Sequence, residues 1–125
     1  MRPDLGCLRV SGLLGALGVG LGAFGAHGLR DLLQRNGTAD IWETAVFYHL
    51  VHAVAMLALS LFGRATRGPW TCFLAGVLIF SGSLYALAIT NVRGLGAITP
   101  IGGVAMIAGW VWLLVRPPAD PVPTR

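Results

Sequence analysis

Charge is scarce in this chain. Of its 125 residues only 11% are charged, lysine is missing altogether, and five side chains are acidic. A water-soluble domain carries roughly 25% charged residues, because much of a small body is surface. The shortfall excludes an exterior covered mostly by water. The nine basic residues are all Arg, standing singly or in a loose pair between apolar runs. Despite a net charge of +4 and a pI near 10.1, no basic face is available to a phosphate backbone, so nucleic acid is excluded as a partner. Cysteine is also sparse: Cys7 and Cys72 form no CxxC pair and lie near no His at ligand spacing, which argues against a disulfide framework or a metal site. There are no paired carboxylates and no suggestive Ser/His/Asp set. The chain therefore reads as a protein without enzymatic activity and without a cofactor.

What is present is apolar: 55% of residues are hydrophobic and the mean hydropathy is +0.74. Four runs are long enough to cross a hydrocarbon layer of about 30 Å, which takes about 20 helical residues. They extend from about Val10 to Gly28, Ile41 to Phe62, Trp70 to Thr90 and Leu95 to Val115. Barrel strands would alternate apolar with polar residues, and these runs do not. The expected fold is an all-α membrane protein, a four-transmembrane-helix bundle over residues 1–116, with lipid as its surroundings. Residues 117–125, rich in Pro, are expected to be a disordered tail. Between the first two spans, Asn36-Gly37 marks a turn, and Leu29, Leu32 and Leu33 allow one short interfacial helical turn. Arg2, Arg9, Arg64, Arg67, Arg116 and Arg125 fall on one side of such a bundle, and Arg30, Arg35 and Arg93 on the other. That asymmetry predicts cytoplasmic termini. A cleavable signal peptide is the alternative for the first span; its length and glycine spacing favour a retained helix.

Several residues carry a more specific message. Gly12, Gly15, Gly18, Gly22 and Gly25 recur every three or four residues, the spacing that lets helix backbones approach closely in lipid. They predict tight packing within the bundle, between copies, or against another membrane protein. Trp42, Ala45, His49, His52, Met56 and Ser60 share one helical face, which must point inward. His49 and His52 are the leading functional candidates, because polar side chains inside a bilayer are costly unless they are bonded or face a wet cavity. Both are expected to be neutral interhelical bonds, with Ser81 or Tyr85 on the third span and Thr99 on the fourth as the partners within reach. Glu43 is expected at the first turn of the second helix, close to His27 at the end of the first. Pro100, followed by Gly102-Gly103, predicts a kink or local unwinding within the fourth span. Trp110 and Trp112 fit an interfacial belt.

The segments Gly22-Ala23-Phe24-Gly25-Ala26-His27-Gly28-Leu29, Trp42 with Thr44-Ala45 and Tyr48-His49 to His52-Ala53, Phe80-Ser81-Gly82-Ser83-Leu84-Tyr85-Ala86-Leu87, and Ile98-Thr99-Pro100-Ile101-Gly102-Gly103 with Gly109-Trp110 touch all four spans. Together they resemble the bacterial inner-membrane family called domain of unknown function 423, which has eukaryotic relatives among small transmembrane proteins. The resemblance implies a small multi-pass membrane protein, and carries over no activity, cofactor or catalytic residue. Three functions are weighed. A structural, accessory or self-associating bundle is preferred. A small transporter or channel is disfavoured, because four-helix exporters resemble one another in an acidic residue buried in the first span, where this chain has none. A haem- or metal-binding bundle would rest on His27, His49 or His52.

Overall fold

A computed structural model describes residues 2–119. The chain forms α1 (Leu5–Ala26), a short α2 (Arg30–Asn36), α3 (Ala39–Ser60), α4 (Arg67–Thr90) and α5 (Thr99–Val115). 3-10 segments at Gly63–Thr66 and Arg93–Ala97 precede α4 and α5. Four stretches, Leu5–Ala26, Ala39–Ser60, Gly63–Thr90 and Arg93–Val115, are 22 to 28 residues long and apolar enough to cross a membrane. At a rise of about 1.5 Å per residue, each is long enough to cross the hydrocarbon layer. Pro117–Ala119 has no regular structure, and residues 120–125 of the expected tail lie outside the described residues.

The element ends follow local chemistry. α1 begins five residues before its apolar run because the Asp4 carboxylate accepts from the Cys7 N–H at 3.2 Å, capping the first turn. α2 realises the short helical turn expected around Leu32 and Leu33, and Gly37 ends it in the left-handed region with φ 64°. In hydrocarbon every backbone carbonyl needs a donor, and the helix ends meet this demand through side chains. Thr38 Oγ1 donates to Ala88 O at 2.8 Å, Asn36 Nδ2 donates to the same carbonyl at 3.0 Å, and Thr66 Oγ1 donates to Leu59 O at 2.6 Å.

Two features depart from expectation. Glu43 is not in the first turn of its helix: α3 starts at Ala39, so Asp40 takes that place and Glu43 sits one turn further on. Pro100 does not kink a helix. It lies in the first turn of α5, where its missing N–H would have had no partner in any case. The change in winding precedes it, as the 3-10 segment Arg93–Ala97.

α3 and α4 pack at the centre, α1 against α3, and α5 against α4. The α4–α5 seam is seated on glycine. A β-carbon on Gly102 would stand 2.8 Å from Phe80 Cα, and one on Gly109 would stand 2.6 Å from Phe73 Cε1. Seven residues separate each pair, the repeat of two helices crossing at a shallow angle. The glycines of α1 divide. Gly18, Gly22 and Gly25 face Leu50, Val46 and Trp42 of α3. Gly12 and Gly15 meet nothing within 4 Å, so within the chain only the other three seat a neighbouring helix. Steps of about 100° per residue leave those two off the α3 seam.

Gly102→Ala should destabilise the bundle by about 1–3 kcal/mol, because the atom it strikes is backbone and cannot swing away. Gly12→Ala should be neutral or stabilising, since the space beside it is open and Ala is the better helix former. Thermal unfolding in one detergent checks both.

Candidate functional site

The inward stripe of α3 is buried along its length: Trp42, Ala45, His49, His52, Met56 and Ser60 are all 4% exposed or less. Both histidines are fully bonded. His49 Nε2 lies 2.8 Å from the carbonyl oxygen of Leu14 on α1, and Nδ1 lies 2.9 Å from the Tyr85 hydroxyl on α4. A carbonyl only accepts, so Nε2 carries the hydrogen, and the neutral ring takes its second bond from the Tyr85 O–H. His52 has the other tautomer. Its Nδ1–H donates to the Tyr48 carbonyl at 2.8 Å, and its bare Nε2 accepts from Trp110 Nε1–H of α5 at 3.0 Å. A proton added at Nε2 of His52 would face an indole N–H, so this bond requires the neutral ring. The two residues therefore link α3 to each of the other three spans.

How does a helix carbonyl accept a bond from outside its own helix? The Leu14 oxygen is roofed by the residue four positions on, and that residue is Gly18. With no side chain there, the His49 ring reaches the oxygen's free lone pair; a β-carbon on Gly18 would stand 3.3 Å from His49 Cδ2. The arrangement recurs seven residues on. Trp42 Nε1 donates to Leu21 O at 2.9 Å, and Gly25, four positions after Leu21, leaves the approach clear. Leu14 pairs with His49, and Leu21 with Trp42, in one antiparallel register. The α3–α4 seam uses a related device: Ser81 Oγ donates to Ala45 O at 2.8 Å, and seven residues away Thr38 Oγ1 donates to Ala88 O.

The remaining candidates are dispersed. Ser81 and Thr99 do not reach the histidines; Ser81 bonds to Ala45, and Thr99 Oγ1 pairs with Ser83 Oγ at 2.6 Å. Since Ser83 donates to Phe80 O, the Thr99 hydroxyl is the donor in that pair. His27 is an exposed C-cap of α1 whose ring makes no hydrogen bond among the described residues. Glu43 is exposed at the edge of a cleft of about 390 Å³ between α1 and α3, walled by Gly22, Gly25 and Trp42, and it does not bond to His27. Pro100 is exposed and belongs to helix initiation. Among the described residues, no three His, Cys, Asp or Glu side chains converge as metal ligands.

Three participants were not foreseen. Trp110 is the partner of His52 as well as a half-exposed aromatic. The Leu14 carbonyl is backbone, invisible to a search for polar side chains; Gly18 was its only signal. Ser11, buried on α1, donates to Cys7 O at 2.7 Å and accepts from Trp70 Nε1–H of α4 at 3.0 Å. Ser60 lies 3.4 Å from it, but its hydrogen goes to Met56 O, so the two hydroxyls touch without a bond. No buried side-chain nitrogen or oxygen among the described residues lacks a partner.

A double-mutant cycle on His52→Phe and Trp110→Phe should give a coupling of about 0.6–1.7 kcal/mol, the range of polar bonds between membrane helices. Unfolding free energies of the four proteins measure it, and additive losses would mean that the two rings do not stabilise each other.

Residues 21–103 match the profile of the family described as "Protein of unknown function (DUF423)". The "UPF0382 membrane protein YwdK" of Bacillus subtilis is 47% identical over 119 residues, covering 86% of this chain and 95% of that protein. A "UPF0382 membrane protein" of Staphylococcus epidermidis is 46% identical over 117 residues, covering 86% and 94%. One from Schizosaccharomyces pombe is 39% identical over 114 residues, covering 86% and 97%. No solved structure matches. With the four apolar spans, the profile match and relatives similar along nearly their whole length, the chain belongs to the DUF423 family of multi-pass helical membrane proteins, whose function is unknown.

Proposed function

We propose that this protein is a non-enzymatic, self-associating helical bundle of the inner membrane, with both termini in the cytoplasm. One observation carries the reading: the outward face of α1. Gly12, Ala16, Gly20 and Ala23 are exposed, and a β-carbon on Gly12 or Gly20 would meet nothing within 4 Å. The four lie on a side of the helix roughly opposite the α3 seam of Gly18, Gly22 and Gly25. In lipid, apolar surface alone does not draw helices together, and a strip of small residues offers the close backbone contact that does. The inner strip of α1 already makes such a contact within the chain; the outer strip offers it to a second copy.

The state of the histidines supports a structural role. A proton or ion carrier requires polar groups at mid-membrane that exchange partners with a mobile species. Here His49 and His52 have two bonds each, all to the protein itself. The orientation rests on the Arg distribution, six on the side of the termini against three on the other.

Gly12→Leu with Ala16→Leu should abolish cross-linking between copies in a bilayer while leaving the melting temperature of the detergent-extracted monomer unchanged. A parent chain that is monomeric in bilayers, or a variant that still cross-links, would exclude α1 as the contact. A reporter active only outside the cytoplasm, fused after Arg116, should be silent; activity there would invert the orientation.

A further inference from the structure

At the end of the bundle that carries the N-terminus, the first residues of the chain, the start of α1 and the 3-10 connection to α4 enclose an open cavity of about 400 Å³. Its lining is Arg2, Pro3, Asp4, Leu5, Arg64 and Arg67. Three arginines thus line one space with a single carboxylate among them. The other carboxylates of the described residues, Asp31, Asp40 and Glu43, belong to α2 and the start of α3, at the far end of the bundle.

Asp4 is held in place on several sides. Its N–H donates to Ser60 O at 2.9 Å, Oδ1 accepts from the Cys7 N–H, and Oδ2 accepts from Arg67 Nε at 2.6 Å. The Arg67 bond foremost, with the Cys7 N–H, pulls the carboxyl pKa down to about 2, so the group stays charged at any working pH. The pair fixes the Arg67 guanidinium through Nε, while its two terminal nitrogens make no other hydrogen bond among the described residues. Arg2 and Arg64 are exposed and likewise unbonded there. Three positive charges against one negative leave two uncompensated at a membrane face.

We infer that this cavity binds the phosphate of an anionic phospholipid. The fixed Arg67 presents donors in the planar fork that suits a phosphate, and Arg2 and Arg64 supply the balancing charge. Leu5, 61% exposed, adds an apolar side chain to the same lining. A lining that joins guanidinium groups to an apolar side chain suits a lipid better than free phosphate, and basic pockets at the ends of membrane helices commonly hold such headgroups. The site is independent of self-association through α1.

Native mass spectrometry of the detergent-solubilised full chain, titrated with phosphatidylglycerol and phosphatidylcholine of identical acyl chains, tests the inference. Phosphatidylglycerol should bind in preference. The preference should fall about fivefold for each arginine removed, in Arg64→Gln and then in Arg2→Gln/Arg64→Gln. Neither side chain makes a hydrogen bond among the described residues, so both variants should melt like the parent without lipid. Equal binding of the two lipids by the parent, or a preference undiminished in the double variant, would overturn the inference. So would displacement of phosphatidylglycerol by millimolar inorganic phosphate, which would make the site a free-phosphate site.

Discussion

Two ring N–H groups of α3, on Trp42 and His49, reach the carbonyl oxygens of Leu21 and Leu14 on α1, and the packing of the bundle is arranged around those bonds. Their importance comes from the solvent. Lipid tails are as apolar as leucine, so burying apolar side chains between helices gains little in a bilayer. What distinguishes one helix pairing from another is close contact and hydrogen bonding. An aromatic ring N–H aimed at a backbone oxygen supplies both, but only where the backbone is bare. Gly18 and Gly25 bare it, and the seven-residue interval between them fixes the register.

The histidines extend this logic outward from α3. Through Tyr85 and Trp110 they reach α4 and α5, so one helix holds direct polar links to all the others. Since each imidazole has one donor and one acceptor in use, the site is saturated, and an amphipathic ring becomes a structural cross-piece. Saturation sets this site apart from the cavity at the bundle end, where the arginines keep donors to spare.

Much of this was legible in the sequence, and the reasons differ by residue. The four spans were visible because a run of about twenty apolar residues matches the thickness of a bilayer and suits little else. The buried stripe of α3 was visible because polar residues at helical spacing in an apolar segment have only one side to face. Tyr85 was nameable as a partner of the histidines; Trp110 was not, because an aromatic near a span's end also suits the interface, and only the packing of α5 beside α3 tells the two apart. The glycine ladder was ambiguous for a related reason. Five glycines at three- and four-residue steps wrap partly around the helix, so sequence alone could not divide those that seat α3 from those that face outward. Pro100 misled because a proline inside a long apolar run suggests a kink, whereas here the run comprises two kinds of helix and the proline begins the second. Leu14 left no mark of its own, since its role belongs to its carbonyl, and Gly18 four positions on was the one residue that pointed to it.

The packing order α1 on α3, α3 on α4, α4 on α5 means that each main seam joins spans that are consecutive along the chain. During synthesis, therefore, no span has to wait in the bilayer for a distant mate: each hairpin can close as soon as its second leg enters. The links of His52 to Trp110 and of Ser11 to Trp70 are the exceptions inside the bundle, each bridging beyond the nearest span. Short loops between neighbouring partners keep the closure entropy low, which favours fast assembly. The last link to form, from Trp110 to His52, ties the fourth span back to the second already in place, so entry of that span and locking of the four-span bundle are one event.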